Sequence, residues 1–223
     1  MHHADTRLAS IASKPEREAM DEQIEAVLRE YDERIAVENK LMRELPPEQV
    51  MAKVDELLIP VGQSTGRFLH DLAVGAGARR ILELGSSYGY SAIWLGAAAR
   101  ETGGKLISLD IAADKQAYAR DRSSRAGLSA FVEFRTGDAV ELIGGLDGPF
   151  DLVLIDLWKD LYIPCLDAVR PKLASGAYVV ADNMLEPEMF RVDANHYRDH
   201  VRALAEQTIL LPLGSGIEVS RFA

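Results

Sequence analysis

The chain has 223 residues, 48% of them hydrophobic, which suits one globular domain or at most two and excludes a disordered chain. Its formal net charge of −10 argues against a nucleic-acid partner, because phosphate backbones repel an acidic protein. The single cysteine, Cys165, allows no disulfide within the chain. No apolar run approaches the roughly 18 residues that span a bilayer, and the N-terminus lacks a secretory signal pattern. We therefore expect a cytoplasmic protein with no membrane partner.

Residues 1–60 form a highly charged N-terminal region with a helical pattern. They hold 14 acidic and 8 basic residues, which is −6 of the net charge of −10. Apolar residues recur every three or four positions over 15–45, the pair Pro46-Pro47 ends that pattern, and a second amphipathic segment follows over 50–58. A single apolar stripe has to pack on something, so we predict a helical arm over 1–60 that lies on the main domain or on a second subunit.

From about residue 78 onwards, strand patterns alternate with helix patterns. The predicted strands are 80–85, 105–110, 131–138, 150–156, 177–183, 208–212 and 216–222. The predicted helices are 90–100, 113–126, a short one ending at 146, 161–173 and 193–207. Helices between strands indicate right-handed crossovers, whereas the last two strands are close enough for an antiparallel hairpin at one edge. We therefore predict a second unit over 61–223 with an α/β fold and a mostly parallel seven-stranded sheet.

The first predicted strand runs into a glycine-containing turn with the sequence ELGSSYGYS, residues 83–91. Gly85 and Gly89 let the backbone turn tightly and let a ligand approach closely. The spacing differs from the G-x-G-x-x-G pattern of dinucleotide enzymes, and Glu83 would repel a phosphate group. The turn therefore suits a cationic or hydroxyl-bearing ligand, and the alternative is a plain strand-to-helix connection.

Acidic residues end the next two predicted strands. Asp110 stands where an acid accepts hydrogen bonds from both hydroxyls of a ribose, although it could equally cap the following helix. The third strand ends in Gly137-Asp138-Ala139, a weaker signal because acid-capped turns are common. Ligands of open α/β sheets bind beyond the carboxyl ends of the strands, so these positions together predict a binding site.

Oxygen-bearing side chains end the fourth and fifth predicted strands. Asp156 follows the fourth, and Asp182 and Asn183 follow the fifth. If the two strands are neighbours, their ends lie about 4.8 Å apart and the three side chains converge. Carboxylate and amide oxygens suit Mg²⁺ rather than zinc, and the alternative is two solvated loop starts. Lys159 follows three residues after Asp156, either near this site or as a surface lysine.

Three segments together resemble the S-adenosylmethionine-dependent O-methyltransferases that need a divalent cation. They are E-L-G-x-x-x-G-Y-S at 83–91, D-x-W-K-D-x-Y at 156–162 and A-D-N at 181–183, and the resemblance extends over about 55–223. The second segment is similar to catechol O-methyltransferase in particular. The resemblance implies a Rossmann-like class I methyltransferase fold, the methyl donor S-adenosylmethionine, Mg²⁺ or another divalent cation, and a vicinal aromatic diol as the small-molecule substrate.

The same resemblance implies a role for each matching residue. The implied cofactor-binding residues are Val61, Glu83, Gly85, Ser87, Ser91, Asp110, Ala139 and Trp158. The implied metal ligands are Asp156, Asp182 and Asn183, and the implied catalytic base is Lys159. Leu57, Ile59 and Trp158 are candidates for the apolar walls around an aromatic ring. The N-terminal arm resembles segments that help form dimers in bacterial members and in the plant caffeoyl-CoA enzymes, so we expect a homodimer.

Two departures leave the acceptor open. Leu157 stands where the animal catechol enzyme has a histidine, and the short segment LLPLGSG at 210–216 has no counterpart of that enzyme's late acid. A caffeoyl-CoA-like phenylpropanoid or a natural product is therefore an alternative acceptor. A nucleotide-dependent oxidoreductase, a non-catalytic adenosyl-binding protein and an RNA methyltransferase remain alternatives of other classes. The missing second glycine of the loop argues against the oxidoreductase. The intact metal and lysine set argues against a non-catalytic protein, and the acidic composition argues against an RNA substrate.

Overall fold

The computed structural model describes residues 21–223, so positions 15–20 of the predicted first helix lie outside the described residues. The helices are α1 Glu22–Glu44, α2 Pro47–Met51, α3 Gln63–Gly75, α4 Tyr90–Thr102, α5 Ala113–Arg125, α6 Ala139–Gly144, α7 Tyr162–Val169 and α8 Arg191–Leu204. The strands are β1 Arg80–Leu84, β2 Lys105–Asp110, β3 Val132–Thr136, β4 Phe150–Ile155, β5 Leu173–Ala181, β6 Gln207–Leu211 and β7 Ile217–Arg221. Short 3₁₀ turns lie at Val54–Glu56, Lys159–Leu161, Arg170–Lys172 and Glu188–Phe190. None of the helices within 21–223 is both long and apolar enough to cross a bilayer.

The seven strands form one sheet in the order β3-β2-β1-β4-β5-β7-β6. Strands β1 to β5 pair in parallel, whereas β7 pairs antiparallel with both β5 and β6. The predicted mostly parallel sheet with a C-terminal hairpin is therefore confirmed. The strand order reverses between β1 and β4, and in such sheets the crevice beyond that point is where ligands bind.

The fifth strand begins earlier than the sequence predicts. The predicted helix over 161–173 ends as an α-helix at Val169, because Pro171 in the following 3₁₀ turn has no backbone N–H to continue it. β5 then starts at Leu173, and Gly176 lies inside it with a φ of +80°. The N–H of Gly176 donates to the carbonyl of Phe222, so the glycine that resembled a turn is paired within the sheet.

The N-terminal arm packs on its own domain through the first half of α1. Ile24, Val27, Leu28 and Tyr31 are buried in the same core as the apolar residues of α4. The second half differs, since Val37 is 70% exposed. The sequence left open whether the arm packs on the main domain or on a second subunit. For the first half of its apolar stripe, the answer is the main domain.

Candidate active site

The carboxyl ends of the central strands open into a cavity of about 930 Å³, a size typical of small-molecule sites. Most of the predicted site residues line it. These are Val61, Gly85, Ser87, Ser91, Asp110, Ala139, Asp156, Trp158, Lys159 and Asn183. Glu83 and Asp182 are fully buried and are not part of the lining.

The turn after β1 needs its two glycines for the backbone itself. Gly85 has a φ of +92°, and a Cβ there would lie 2.0 Å from the carbonyl oxygen of Asp156, just after the neighbouring strand β4. Gly89 has a φ of +88° and precedes α4, and a Cβ there would lie 2.6 Å from the Cβ of Ala119. The glycines therefore allow close packing of the turn against β4 and α5, a reason that the sequence alone does not reveal.

Asp110 fits both interpretations that the sequence left open. One carboxylate oxygen accepts a hydrogen bond from the N–H of Ser87 at 2.7 Å, and the other accepts from the N–H of Ala112 at 2.9 Å. The side chain thus fixes the turn after β1 and the approach to α5. Each oxygen has a second lone pair, and the residue lines the cavity, so it can still accept a hydroxyl of a ligand.

Glu83 lies behind the turn rather than in the cavity. Its carboxylate accepts a hydrogen bond from the hydroxyl of Ser108 on β2 at 2.6 Å. Complete burial raises the pKa of Glu83 to about 7, with the Ser108 hydrogen bond acting in the opposite direction. Glu83 thus links β1 to β2 beneath the turn. A direct contact between Glu83 and a cofactor stays a prediction.

The ends of β4 and β5 bring two carboxyl groups together. Ile155 pairs with Ala181 in register, so Asp156 and Asp182 follow at adjacent strand ends, and the N–H of Asp182 donates to the carbonyl of Ile155 at 3.1 Å. Burial is the main cause that raises the pKa of both acids; the charge of Asp156 further raises the pKa of Asp182, and the charge of Asp110 further raises that of Asp156. Such a pair favours a bound cation, because like charges at close range destabilise each other.

The donor set at these strand ends fits a divalent cation. Within the described part of the chain, the Oδ1 atom of Asp182 is buried and has no hydrogen-bond partner. Asn183 has a φ of +54°, a left-handed conformation that asparagine tolerates better than most residues, and it lines the cavity. No group of three or more His, Cys, Asp or Glu side chains in residues 21–223 is arranged to hold a metal. The set of two carboxylates and one amide therefore suits Mg²⁺ better than zinc.

Lys159 is buried next to these acids, in a 3₁₀ turn that follows β4. Its Nζ donates hydrogen bonds to the hydroxyl of Tyr162 and, at 3.1 Å, to the carbonyl of Asp182. Burial lowers the pKa of Lys159 to about 8, although the carboxylates of Asp156 and Asp182 act to raise it. With a pKa of about 8, roughly one amine in ten is neutral at pH 7, a far larger fraction than for a surface lysine.

Tyr162 is a contact of Lys159 to which the sequence analysis assigned no role. Its side chain is fully buried, and its hydroxyl lies 3.2 Å from the carbonyl of Asp182 as well as next to Nζ of Lys159. The signal was present, because this tyrosine is the last residue of the D-x-W-K-D-x-Y stretch.

Apolar side chains line the rest of the cavity. Leu57, Ile59 and Trp158 are part of the lining, as the sequence predicted. Met189 and Phe190 also line it, and the rings of Trp158 and Phe190 meet edge to face with centroids 6.3 Å apart. The sequence analysis missed these two residues because they lie in a loop between elements, where no periodicity marks a buried face.

Comparisons with known proteins agree with this geometry. Residues 82–184 match the family described as Methyltransferase domain. A protein named catechol O-methyltransferase, from Niastella koreensis, is 37% identical over 57% of this chain and 59% of its own length. Caffeoyl-CoA O-methyltransferase 5 from Nicotiana tabacum is 28% identical over 82% of this chain and 85% of its own length. The structure titled as an O-methyltransferase from Bacillus cereus in complex with SAH has a TM-score of 0.72 and 24% identity, and it covers 92% of each chain.

The fold and the matched region define a class I methyltransferase domain. The relatives named as catechol and caffeoyl-CoA O-methyltransferases confirm the predicted resemblance to the cation-dependent O-methyltransferases. The alignment with the Niastella protein spans about three fifths of that relative, 59% of its length.

Proposed function

We propose that this chain is a Mg²⁺-dependent O-methyltransferase that transfers the methyl group of S-adenosylmethionine to one hydroxyl of a vicinal aromatic diol. The observation that carries this proposal is the buried Lys159 next to the paired carboxylates of Asp156 and Asp182, in the cavity that Asp110 also lines. The relatives named for catechol and for caffeoyl-CoA support an acceptor with two adjacent phenolic hydroxyls.

The methyl donor, when bound, supplies a methyl group on a positively charged sulfur. Asp110 would accept hydrogen bonds from its ribose hydroxyls, and Ala139 would lie near its adenine. Gly85, Ser87 and Ser91 would line its amino-acid end. The backbone of the turn after β1 is already fixed by the hydrogen bond from Ser87 to Asp110, so the protein is preorganised for this ligand.

A divalent cation, when bound by Asp156, Asp182 and Asn183, would lower the pKa of an acceptor hydroxyl. Lys159 would then take the proton of that hydroxyl. A neutral lysine amine has two N–H groups, and its two hydrogen-bond acceptors here are the Tyr162 hydroxyl and the Asp182 carbonyl. The lone pair of Nζ is then free for the proton, so these two contacts orient the base.

The substrate range tests the proposed function. A vicinal diol offers two oxygens that a cation binds together, whereas a monophenol offers one and a 1,3-diol holds its oxygens too far apart. We expect methylation of pyrocatechol and of caffeate-like diols, with both meta and para products from the substituted diols. Resorcinol and phenol should react at less than about a hundredth of that rate. Transfer of labelled methyl groups, followed by chromatography of the products, measures this. Efficient methylation of phenol would contradict activation through two adjacent oxygens.

Binding of the methyl donor is expected to depend on Asp110. The Asp110→Ala change removes the charge-assisted hydrogen bonds to the ribose, together worth about 1.5–3 kcal/mol, so affinity should fall by about 10- to 150-fold. Asp110→Asn is the matched control, because its amide oxygen can still accept from the N–H of Ser87 and should preserve part of the affinity. Calorimetry with S-adenosylmethionine measures both, and unchanged affinity in the alanine variant would remove Asp110 from this role.

A caffeoyl-CoA-like acceptor is the second candidate, and the 28% identity with the tobacco enzyme over most of both chains favours it. A non-catalytic adenosyl-binding protein is disfavoured by the oriented Lys159. The cytoplasmic location and the homodimer stay predictions.

A further inference from the structure

One wall of the cavity comes from the N-terminal arm. Most residues of the segment 50–61 line the cavity, and Pro187, Met189 and Phe190 of the loop over 187–190 add to the lining. Gly214, in the turn between β6 and β7, packs so closely that a Cβ there would lie 3.1 Å from the carbonyl of Val61. The segment therefore lies on the β5 side of the sheet, the side that also holds Asp182 and Asn183.

Two charged residues of α1, Arg34 and Glu38, bind the backbone of this wall, and we call them the clamp. The carboxylate of Glu38 accepts a hydrogen bond from the N–H of Leu58 at 2.6 Å. The guanidinium of Arg34 pairs with Glu38 at 2.6 Å and donates to the carbonyl of Glu56 at 3.2 Å. The side chains of Arg34 and Glu38 are only 26% and 14% exposed, so the pair is largely shielded from water. The backbone on either side of Leu57 is thus fixed to α1.

The residue after the clamp has a strained backbone. Ile59 has a φ of +37°, which a β-branched residue rarely adopts, and its side chain is 47% exposed at the cavity. Strain of this kind persists only where the surroundings impose it, and the bond from Leu58 to Glu38 is such a restraint. The clamp therefore determines where Ile59 is presented.

The same helix also holds the turn that follows β1. The hydroxyl of Tyr31 donates to the carbonyl of Tyr88 at 2.6 Å, and the guanidinium of Arg34 lies 4.1 Å from the centroid of the Tyr88 ring. Tyr88 lines the cavity. Helix α1 thus fixes the arm wall relative to the turn after β1, and the clamp sets the distance between them.

The chemistry of this wall is apolar and slightly acidic. Met51 and Ile59 on the segment 50–61, and Met189 on the facing loop, are large apolar side chains that remain exposed at the cavity. Among the described residues that the segment and the loop contribute to the lining, Asp55 is the charged one. Binding a coenzyme A thioester calls for lysine or arginine near its phosphates. Lys115 of α5 also lines the cavity, but the described segment 50–61 and loop 187–190 contribute no cation to the lining, and Asp55 repels anions there.

We propose that this wall makes the site selective for vicinal diols whose side group is apolar and uncharged, against carboxylates and coenzyme A thioesters, with the Glu38 clamp setting its position. The inference rests on the proposed function and narrows it to one acceptor class. It favours a simple catechol over a coenzyme A thioester, the two kinds of acceptor that appear in the names of the relatives.

Three acceptors that share one diol ring test the selectivity. They are methyl protocatechuate, protocatechuate and protocatechuoyl-CoA, compared by kcat/KM at constant ionic strength. We expect the ester to exceed each anion by at least about tenfold, because like-charge contacts in a binding site are strongly unfavourable. Equal or higher kcat/KM for the thioester would overturn the proposal. Failure to methylate pyrocatechol itself would instead overturn the proposed function, so the two failures are distinguishable.

A charge reversal tests the part played by Asp55. The Asp55→Lys variant should raise kcat/KM for protocatechuate relative to its methyl ester by about three- to tenfold, and added salt should reduce that gain. Asp199→Lys is the matched control, because it changes the net charge equally on α8, and Asp199 does not line the cavity. An equal gain in both variants would show a general charge effect and overturn the role of Asp55.

Removing the clamp tests the positioning role of Glu38. The Glu38→Ala variant leaves the N–H of Leu58 without its acceptor, so KM for methyl protocatechuate should rise by about tenfold. The Kd of S-adenosylmethionine, measured by calorimetry, should stay within about twofold, because Tyr31 still holds the turn after β1 through the carbonyl of Tyr88 and Asp110 is unchanged. A merely structural role would weaken both ligands together, and that result, or an unchanged acceptor KM, would overturn the clamp.

Discussion

Replacing Lys159 by methionine is expected to lower the turnover number by about 100- to 10,000-fold, the usual contribution of a positioned general base. Methionine has a similar length and is apolar, so it fits the buried position while losing the amine. The acceptor hydroxyl would then have to lose its proton to water. Turnover of pyrocatechol under saturating donor and Mg²⁺ measures the effect, and calorimetry should show donor binding within about twofold of the unchanged protein.

The matched control for this variant is Lys40→Met. Lys40 lies on α1 and pairs with Glu44 at 4.0 Å, and both side chains are mostly exposed. Such surface pairs contribute little to stability, so the control should keep normal turnover. If Lys159→Met also turns over within about twofold of the unchanged protein, Lys159 is not the base. If both variants lose turnover equally, the loss is not specific to the buried amine.

The architecture follows from sequence patterns because it depends on local periodicity. The strands of the parallel sheet alternate with helices, and each predicted strand from β1 to β4 lies within a few residues of its position in the structure. The start of β5 was missed because Gly176 resembles a turn in the sequence, whereas pairing with the C-terminal strand keeps it in the sheet. Local patterns carry no information about such a partner at the other end of the chain.

Site residues that follow the ends of strands could be predicted from the sequence, whereas contacts between distant segments could not. Asp156 and Asn183 line one cavity because parallel strands end at the same edge, which spacing alone suggests. The hydrogen bond between Glu83 and Ser108 was not foreseen, because it joins two strands 25 residues apart, and a contact between Glu83 and a cofactor stays a prediction. The clamp between Glu38 and Leu58 depends on how α1 docks, and 20 residues of sequence separate the two partners. Contacts of that kind follow from tertiary packing rather than from residue type.

Chelation of divalent cations is expected to abolish turnover, and Mg²⁺ is expected to restore it. The physical reason is the pair Asp156 and Asp182, in which the charge of Asp156 raises the pKa of Asp182. Within the described chain, the buried Oδ1 atom of Asp182 also has no hydrogen-bond partner, so it is available to a cation. Turnover before and after EDTA, and after Mg²⁺ is added back, measures this. Full activity after exhaustive chelation would contradict metal dependence.

A stability measurement on the Asp182→Asn variant tests the same site without relying on activity. Mg²⁺ at about 100 times its Kd should stabilise the unchanged protein by about 2.7 kcal/mol, because the cation binds only the folded chain. In the variant, the amide removes one of two like charges, so the metal-free protein should be at least as stable as before, while stabilisation by Mg²⁺ should largely disappear. Asp138→Asn is the control, because Asp138 caps α6 through the N–H of Glu141 and an asparagine also caps a helix. Denaturant unfolding with and without Mg²⁺ measures all three proteins, and a variant that Mg²⁺ stabilises as much as the unchanged protein would show that the cation binds elsewhere.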